Sequence, residues 1–219
     1  PRKARIDAPG ALHHIIVRGL ERRKIFKDDQ DRHEFLERLA LVLSKTETGC
    51  FAWALIPNHF HLLLRTGNYP ISNVMSRLLT GYAMRFNRRH RRSGQLFQNR
   101  YKSILCQEDA YLLELVRYIH LNPIRARIVA DLNALDSHSF CGHSHLIGKI
   151  IYDWQDDAYV LKLFDDKRSA ARHRYKQFIR KGIEQGRRHE LTGGGLIRSS
   201  GGWAAIKEMR KANIHQKSD

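Results

Sequence analysis

Cysteine is scarce in this 219-residue sequence: Cys50, Cys106 and Cys141 are odd in number and widely spaced, with no CxxC pair. That excludes a disulfide framework and a cysteine-based zinc site, and fits thiols kept in a reducing compartment. No hydrophobic run approaches the length of a membrane span, and Pro1-Arg2-Lys3-Ala4-Arg5 lacks the apolar core of a secretion signal. The expected location is therefore cytoplasmic. Gly193–Gly195 has neither the Lys nor the Ser/Thr of a phosphate-cradling loop, so a nucleotide cofactor is not indicated. Acidic residues are also in deficit. Against 39 Lys+Arg stand 22 Asp+Glu, a net charge of +17. An excess of that size repels itself, and a polyanionic partner relieves it better than solvent alone.

The chain is long enough for one substantial domain with an appendage, and its 42% hydrophobic fraction supports a packed core. His13 to Val17 reads as a first strand. Asp28 or Asp29 can cap a helix whose stripe is Phe35, Leu36, Leu39, Val42 and Leu43, with Gly49 ending the segment. Phe51 to Ile56, a turn at Pro57-Asn58 and His59 to Arg65 form a hairpin. Val74, Met75, Leu78, Leu79, Tyr82 and Phe86 mark a second helix. Leu96 to Leu105 suits a fourth strand, and Asp109 opens a third helix with Leu112, Leu113, Leu115, Val116 and Ile119 on its stripe. This β-α-β-β-α-β-α order predicts an α+β fold: a ferredoxin-like split antiparallel sheet with helices packed on one face. The predicted division is a domain over 1–130 and a basic, mainly helical extension over 131–219. In that extension Asp136 to Lys149 reads as a loop, Asp157 to Phe164 and Arg168 to Glu184 as helices, and Trp203 to Lys211 as a last helix after Gly-rich punctuation.

Two stretches carry chemistry. In Pro57-Asn58-His59-Phe60-His61-Leu62-Leu63-Leu64, strand alternation sends His59 and His61 to one face and Phe60, Leu62 and Leu64 to the other. In Tyr118-Ile119-His120-Leu121-Asn122-Pro123, the spacing i, i+4 puts Tyr118 and Asn122 one helical turn apart, and Pro123 places the amide near a helix end. Taken alone, an HxH pair is as compatible with two hydrogen-bonded core histidines, and Tyr118 with a core tyrosine whose hydroxyl is wet. Together they suggest more. Two imidazoles and the Asn122 carbonyl can hold a divalent metal while leaving positions open for phosphate and water. A phenol, with an ordinary pKa of about 10, needs that metal or other positive charge to become a nucleophile. His13, His14 and His120 are further candidates near the cleft, His120 the most structural of them. Arg85, Arg88, Arg89, Arg91, Arg92, Arg100 and Lys102 form a candidate DNA-binding surface, and the arginines of 172–188 a second basic patch.

NHFHLLL, LFQNRYKS, RYIHLNPIRARIV and the opening RIDAPGALHHIIVRG resemble the single-tyrosine transposases of the HUH superfamily, most nearly the REP-associated tyrosine transposases of bacteria, over residues 1–130. The resemblance implies His59 and His61 as the metal pair, Tyr118 as nucleophile, and Asn122 as third ligand where related transposases commonly carry glutamine. It implies Mg²⁺ or Mn²⁺ as cofactor and single-stranded or hairpin DNA as partner, with a nucleoid-associated monomer or homodimer. The implied activity is a metal-dependent endonuclease and strand transferase that passes through a 5′-phosphotyrosine. A catalytically inactive DNA-hairpin-binding regulator is the alternative. A replication initiator or relaxase would share the HUH pair, but the tyrosine on a helix after the fourth strand favours a transposase.

Overall fold

The structure, a computed structural model, describes residues 9–106 and 108–184, with backbone alone for 108–111. The expected glycine-rich punctuation, the Trp203–Lys211 helix and the end of the second basic patch lie outside the described residues. Four antiparallel strands, β1 (Leu12–Arg18), β2 (Gly49–Ile56), β3 (His59–Arg65) and β4 (Lys102–Cys106), form a sheet in the order β2-β3-β1-β4. Helix α1 (Asp29–Thr46) joins β1 to β2, α2 (Ile71–Arg89) joins β3 to β4, and α3 (Glu108–His120) follows β4. A 3-10 turn at Leu20–Arg22 follows β1, and five further α-helices come after α3: α4 (Asn122–Arg125), α5 (Leu132–Asp136), α6 (His143–Leu146), α7 (Asp157–Lys162) and α8 (Arg168–Lys181). This is the expected α+β split sheet.

Residues opposite one another in an antiparallel pair share a face. The register therefore sorts the sheet into two sides. Ile15, Val17, Phe60, Leu62 and Leu64 face α1 and α2, in one cluster with Phe35, Leu39, Val74, Leu78, Tyr82 and Phe86. Arg18 lies opposite His59, Ile16 opposite both His61 and Lys102, and His14 opposite Leu63 and Ile104. Helix α3 covers that second side, where the Tyr118 ring meets His14 and His61. So α1 and α2 share one face, while the helix bearing the tyrosine takes the other. The period of two explains it: α1 and α2 cover the wholly apolar stripe, and α3 covers a mixed face on which Ile16, Leu63 and Ile104 flank the histidines.

Local caps follow the sequence. The Asp28 side chain accepts from the Asp31 N–H at the start of α1. At its other end Glu47, with φ 51°, adopts the left-handed cap conformation, so the helix stops before Gly49, which begins β2. The fourth strand is shorter than expected. Phe97 bridges to Gly19 and the Gln98 N–H donates to the Arg18 carbonyl, but the chain bends between there and Lys102. That bend puts Arg100 on the surface beside the end of β1.

The stretch read as a loop, Asp136 to Lys149, is instead largely buried. Phe140 to Gly142 runs along the outer edge of β2: Leu55 donates to the Phe140 carbonyl, Gly142 donates to the Trp53 carbonyl, and Ala54 bridges to Cys141. An edge strand with unpaired backbone groups is thereby covered. Its His and Ser side chains suit burial because they find partners inside; Ser144 Oγ, for example, donates to the Cys141 carbonyl.

Candidate active site

Strand β3 brings His59 and His61 to the α3 side of the sheet, with ring centroids 5.2 Å apart. Turn residue Asn58 is anchored first: its amide nitrogen donates to the Arg22 carbonyl at 3.2 Å, so its amide oxygen faces His59. That oxygen lies 2.7 Å from His59 Nδ1. An amide oxygen only accepts, so Nδ1 carries the proton and Nε2 keeps its lone pair. His61 is buried, and its Nδ1 lies 2.9 Å from Nε2 of His14, an equally buried residue of β1. Burial, reinforced by Arg18, holds the His59 pKa down to about 4. Burial also lowers His61 well below the ordinary imidazole value, helped by His14, His59 and Arg18. Both rings are therefore neutral near pH 7, the state in which imidazole can ligate a cation.

Helix α3 supplies the phenol. The Tyr118 ring centroid stands 5.6 Å from that of His61 and 6.0 Å from that of His14, edge-on to both. Asn122 begins α4, and Pro123 is tolerated in that first turn because its missing N–H has no helical partner to lose. The Asn122 amide nitrogen donates to the Tyr118 carbonyl at 2.9 Å, which leaves Oδ1 as the ligand-type atom of the side chain. The Arg125 guanidinium lies over the Tyr118 ring, 5.4 Å from its centroid.

His59, His61 and Tyr118 thus stand together on one side of the sheet, with Asn122 tied to the Tyr118 backbone one turn further along. Among the described residues, no three His, Cys, Asp or Glu side chains converge to hold a metal. A cation here depends on the amide of Asn122 with the two imidazoles. That donor set, with neutral rings and a bare His59 Nε2, fits a hard or borderline divalent ion that keeps open positions.

The seven basic candidates divide. Arg88, Arg91, Arg100 and Lys102 are exposed. Lys102 lies on the site's face of the sheet, and burial together with Arg18 lowers its pKa. Arg89 is engaged by protein: it pairs with Asp28 at 2.8 Å, with the buried Asp31, and with Gln30. Arg92 donates to Asn87 and to the Gln95 carbonyl, and Arg85 lies near Glu34 and Glu37. Sequence reasoning named His14 without a role and missed Arg18 and Arg125. The proximity of Arg125 to Tyr118 was legible in principle, since seven residues make two helical turns. Arg18 opposite His59 required the register.

His120 belongs elsewhere. Its Nδ1 meets the Tyr175 hydroxyl at 2.8 Å, in a second histidine cluster behind α3.

No curated protein matches the chain. Among solved structures, a REP-associated tyrosine transposase bound to a REP hairpin superposes with a TM-score of 0.55 at 15% identity, covering 71% of this chain and 97% of that one. A protein of Deinococcus radiodurans R1 assigned as a transposase aligns at TM-score 0.38 and 18% identity, over 49% of this chain and 85% of that one. The first likeness establishes a shared fold. The sequence profile of the IS200-like transposases matches residues 9–122, more than half of the chain and the whole span from β1 to Asn122, so the chain belongs to the IS200-like transposase family.

Proposed function

We propose that this protein is a metal-dependent single-stranded DNA endonuclease and strand transferase acting on hairpin DNA through a 5′-phosphotyrosine on Tyr118. The observation that carries the reading is the grouping of Tyr118 with His61 and Asn122 on the polar side of the sheet, His61 at 5.6 Å between ring centroids and Asn122 through its 2.9 Å hydrogen bond. His59, His61 and the Asn122 carbonyl would hold the divalent cation, Mg²⁺ or Mn²⁺, whose chemistry when bound is to polarise a phosphate oxygen. Arg125 places a positive charge beside the Tyr118 ring. The Tyr118 oxygen attacks phosphorus in line, the bond from phosphorus to the 3′ oxygen breaks, and that oxygen takes a proton to become a 3′-hydroxyl. The 5′-phosphate stays on tyrosine as a diester, so a second 3′-hydroxyl can displace Tyr118 and rejoin strands without ATP.

Exposed Arg88, Arg91, Arg100 and Lys102, with Arg18 at the end of β1, supply the phosphate-contacting charge. Hairpin DNA with flanking single-stranded bases is the proposed substrate, on the analogy of the REP-associated neighbour solved with a REP hairpin. The histidines and tyrosine of one chain lie side by side, which supports a site assembled within a single subunit of a monomer or homodimer.

Labelled hairpin DNA incubated with the protein and Mg²⁺, then run on a denaturing gel, tests this. A slow-migrating protein–DNA adduct is expected, lost completely in Tyr118→Phe while hairpin binding persists. Binding without any adduct in the unmodified protein would instead establish the inactive hairpin-binding regulator.

A further inference from the structure

Each histidine of the HxH pair has its Nδ1 occupied by a different partner, and only one of those partners is inert. Asn58 holds His59 through an oxygen that can do nothing but accept, so the tautomer of His59 is dictated. His61 meets another imidazole, His14, at 2.9 Å, and two imidazoles facing each other can share their protons in two ways. If His14 Nε2 carries a proton and donates it, His61 Nδ1 is the acceptor and the His61 proton sits on Nε2, where it blocks any ligand. If His61 Nδ1 donates to a bare His14 Nε2, the His61 Nε2 lone pair is exposed and matches that of His59.

From this geometry we propose that His14 is a positioning residue: it accepts the Nδ1 proton of His61 and so presents Nε2 of His61, beside Nε2 of His59, to the cation. The proposal rests on the metal-centred reading above and deepens it. Strand register explains why position 14 can do this. His14 lies opposite Leu63 and therefore on the His61 side of the sheet, two residues along β1 from Ile16, which lies directly opposite His61. A diagonal neighbour at that offset is within reach of a ring. The two rings lie 26° from parallel with centroids 5.2 Å apart, and both are buried, so neither can swing to another partner without moving the other. Both also contact the edge of Tyr118, which ties the hydrogen bond to the nucleophile's packing. Adjacent His13 cannot substitute. Alternation turns it to the other face, where its Nδ1 meets Ser103 Oγ at 3.0 Å. Outer partners of metal-binding imidazoles typically contribute tenfold to a hundredfold in metal affinity.

The test compares the full chain with His14→Phe, which keeps a ring and removes the acceptor, and His14→Gln, which keeps an acceptor in its amide oxygen. Manganese titration followed by calorimetry is the first readout, with His61→Ala as reference. His14→Phe should bind Mn²⁺ about 10- to 100-fold more weakly, and His14→Gln should recover most of that loss. Histidine ¹⁵N chemical shifts without metal are the second readout. They should report His61 protonated on Nδ1 in the unmodified protein and on Nε2 for a large share of His14→Phe molecules. Hairpin binding without metal certifies that each variant is folded.

An unchanged Mn²⁺ affinity in folded His14→Phe overturns the proposal, and so does a His61 proton found on Nε2 in the unmodified protein. Equal losses in the Phe and Gln variants would make His14 itself a ligand and overturn the positioning role. Should Mn²⁺ bind no better to the unmodified protein than to His61→Ala, the metal reading falls, while the nitrogen shifts still decide whether His14 sets the His61 tautomer.

Discussion

Two groups of buried histidines lie on opposite sides of α3, and they differ in what closes their hydrogen bonds. Tyr118 and His120 are two residues apart, about 200° of helical rotation. Tyr118 meets His61 and His14 under the sheet, while His120 meets Tyr175 of α8. In the second group the Tyr175 hydroxyl bridges His120 Nδ1 and His143 Nδ1, each at 2.8 Å. His143 Nε2 then reaches Asp136 at 2.9 Å, and Lys176 completes the chain at 2.5 Å. Burial opposes the charge of Asp136, but Lys176 and His143 outweigh it and the net displacement of its pKa is downward. That chain ends in an ion pair and joins the end of α3 to α5, α6 and α8. Around His59 and His61 the acting charge is cationic, from Arg18. Histidines with an acid behind them are fastened; histidines without one keep a lone pair to offer.

That contrast breaks cleanly if the two groups respond alike to truncation. His61→Ala should lower adduct formation by about 100-fold or more, because several kcal/mol of charge stabilisation depart with the cation and about 1.4 kcal/mol is tenfold in rate. Its melting temperature should move little by comparison. His143→Ala should do the reverse, since it strips a hydrogen-bond partner from buried Asp136 and from Tyr175. A loss of about 2–4 kcal/mol in stability is expected, with adduct formation per folded molecule unchanged. Thermal melts and gel-quantified adduct on both variants decide. Equal kinetic losses would mean the clusters act as one.

A subtler cut sharpens the same comparison. Tyr175→Phe leaves both Nδ1 atoms of the second group without their shared hydroxyl and changes no volume elsewhere. With one unsatisfied polar atom costing about 1–3 kcal/mol, chemical denaturation should report a loss of about 2–4 kcal/mol. Mn²⁺ affinity should stay within twofold of the unmodified protein. A large fall in metal affinity would show that α8 holds Tyr118 and Asn122 in place through His120.

How much of this was legible depends on how far apart the interacting residues stand in the chain. His59 with His61, and Tyr118 with Asn122, are local pairs whose spacing alone fixes a shared face, given a strand and a helix. The split α+β class followed from the order of the predicted elements. His14 was visible as a histidine but its partner was not, because 47 residues separate it from His61 and only the register brings them together. The buried stretch around His143 was misread as loop for a related reason. Its polar residues look solvent-seeking until Tyr175 and Asp136 are placed beside them. Charge is the least legible of all. An arginine bonded to protein and one waiting for phosphate are the same letter.

The basic end of α2 holds both kinds of arginine within a few residues, which allows the last comparison. Arg89 fastens the start of α1 through Asp28 and Asp31, and its hydrogen bond draws the Asp28 pKa from 3.8 down to about 2. A carboxyl depressed in the folded state adds stability that is present above its unfolded pKa and is lost as pH falls through the folded one. Arg89→Gln should therefore lower stability near neutrality and flatten its decline between roughly pH 4 and 2. Hairpin affinity should be spared. Replacing exposed Arg88, Arg91 and Arg100 with glutamine should do the opposite: stability within about 0.5 kcal/mol of the unmodified protein, but weaker hairpin binding. For each lost phosphate contact, the slope of log affinity against log salt should fall by roughly 0.7 on a single strand or 0.9 on a duplex. An unchanged salt slope in the triple variant would move the DNA path away from α2, towards Arg18 and Lys102 beside the histidines.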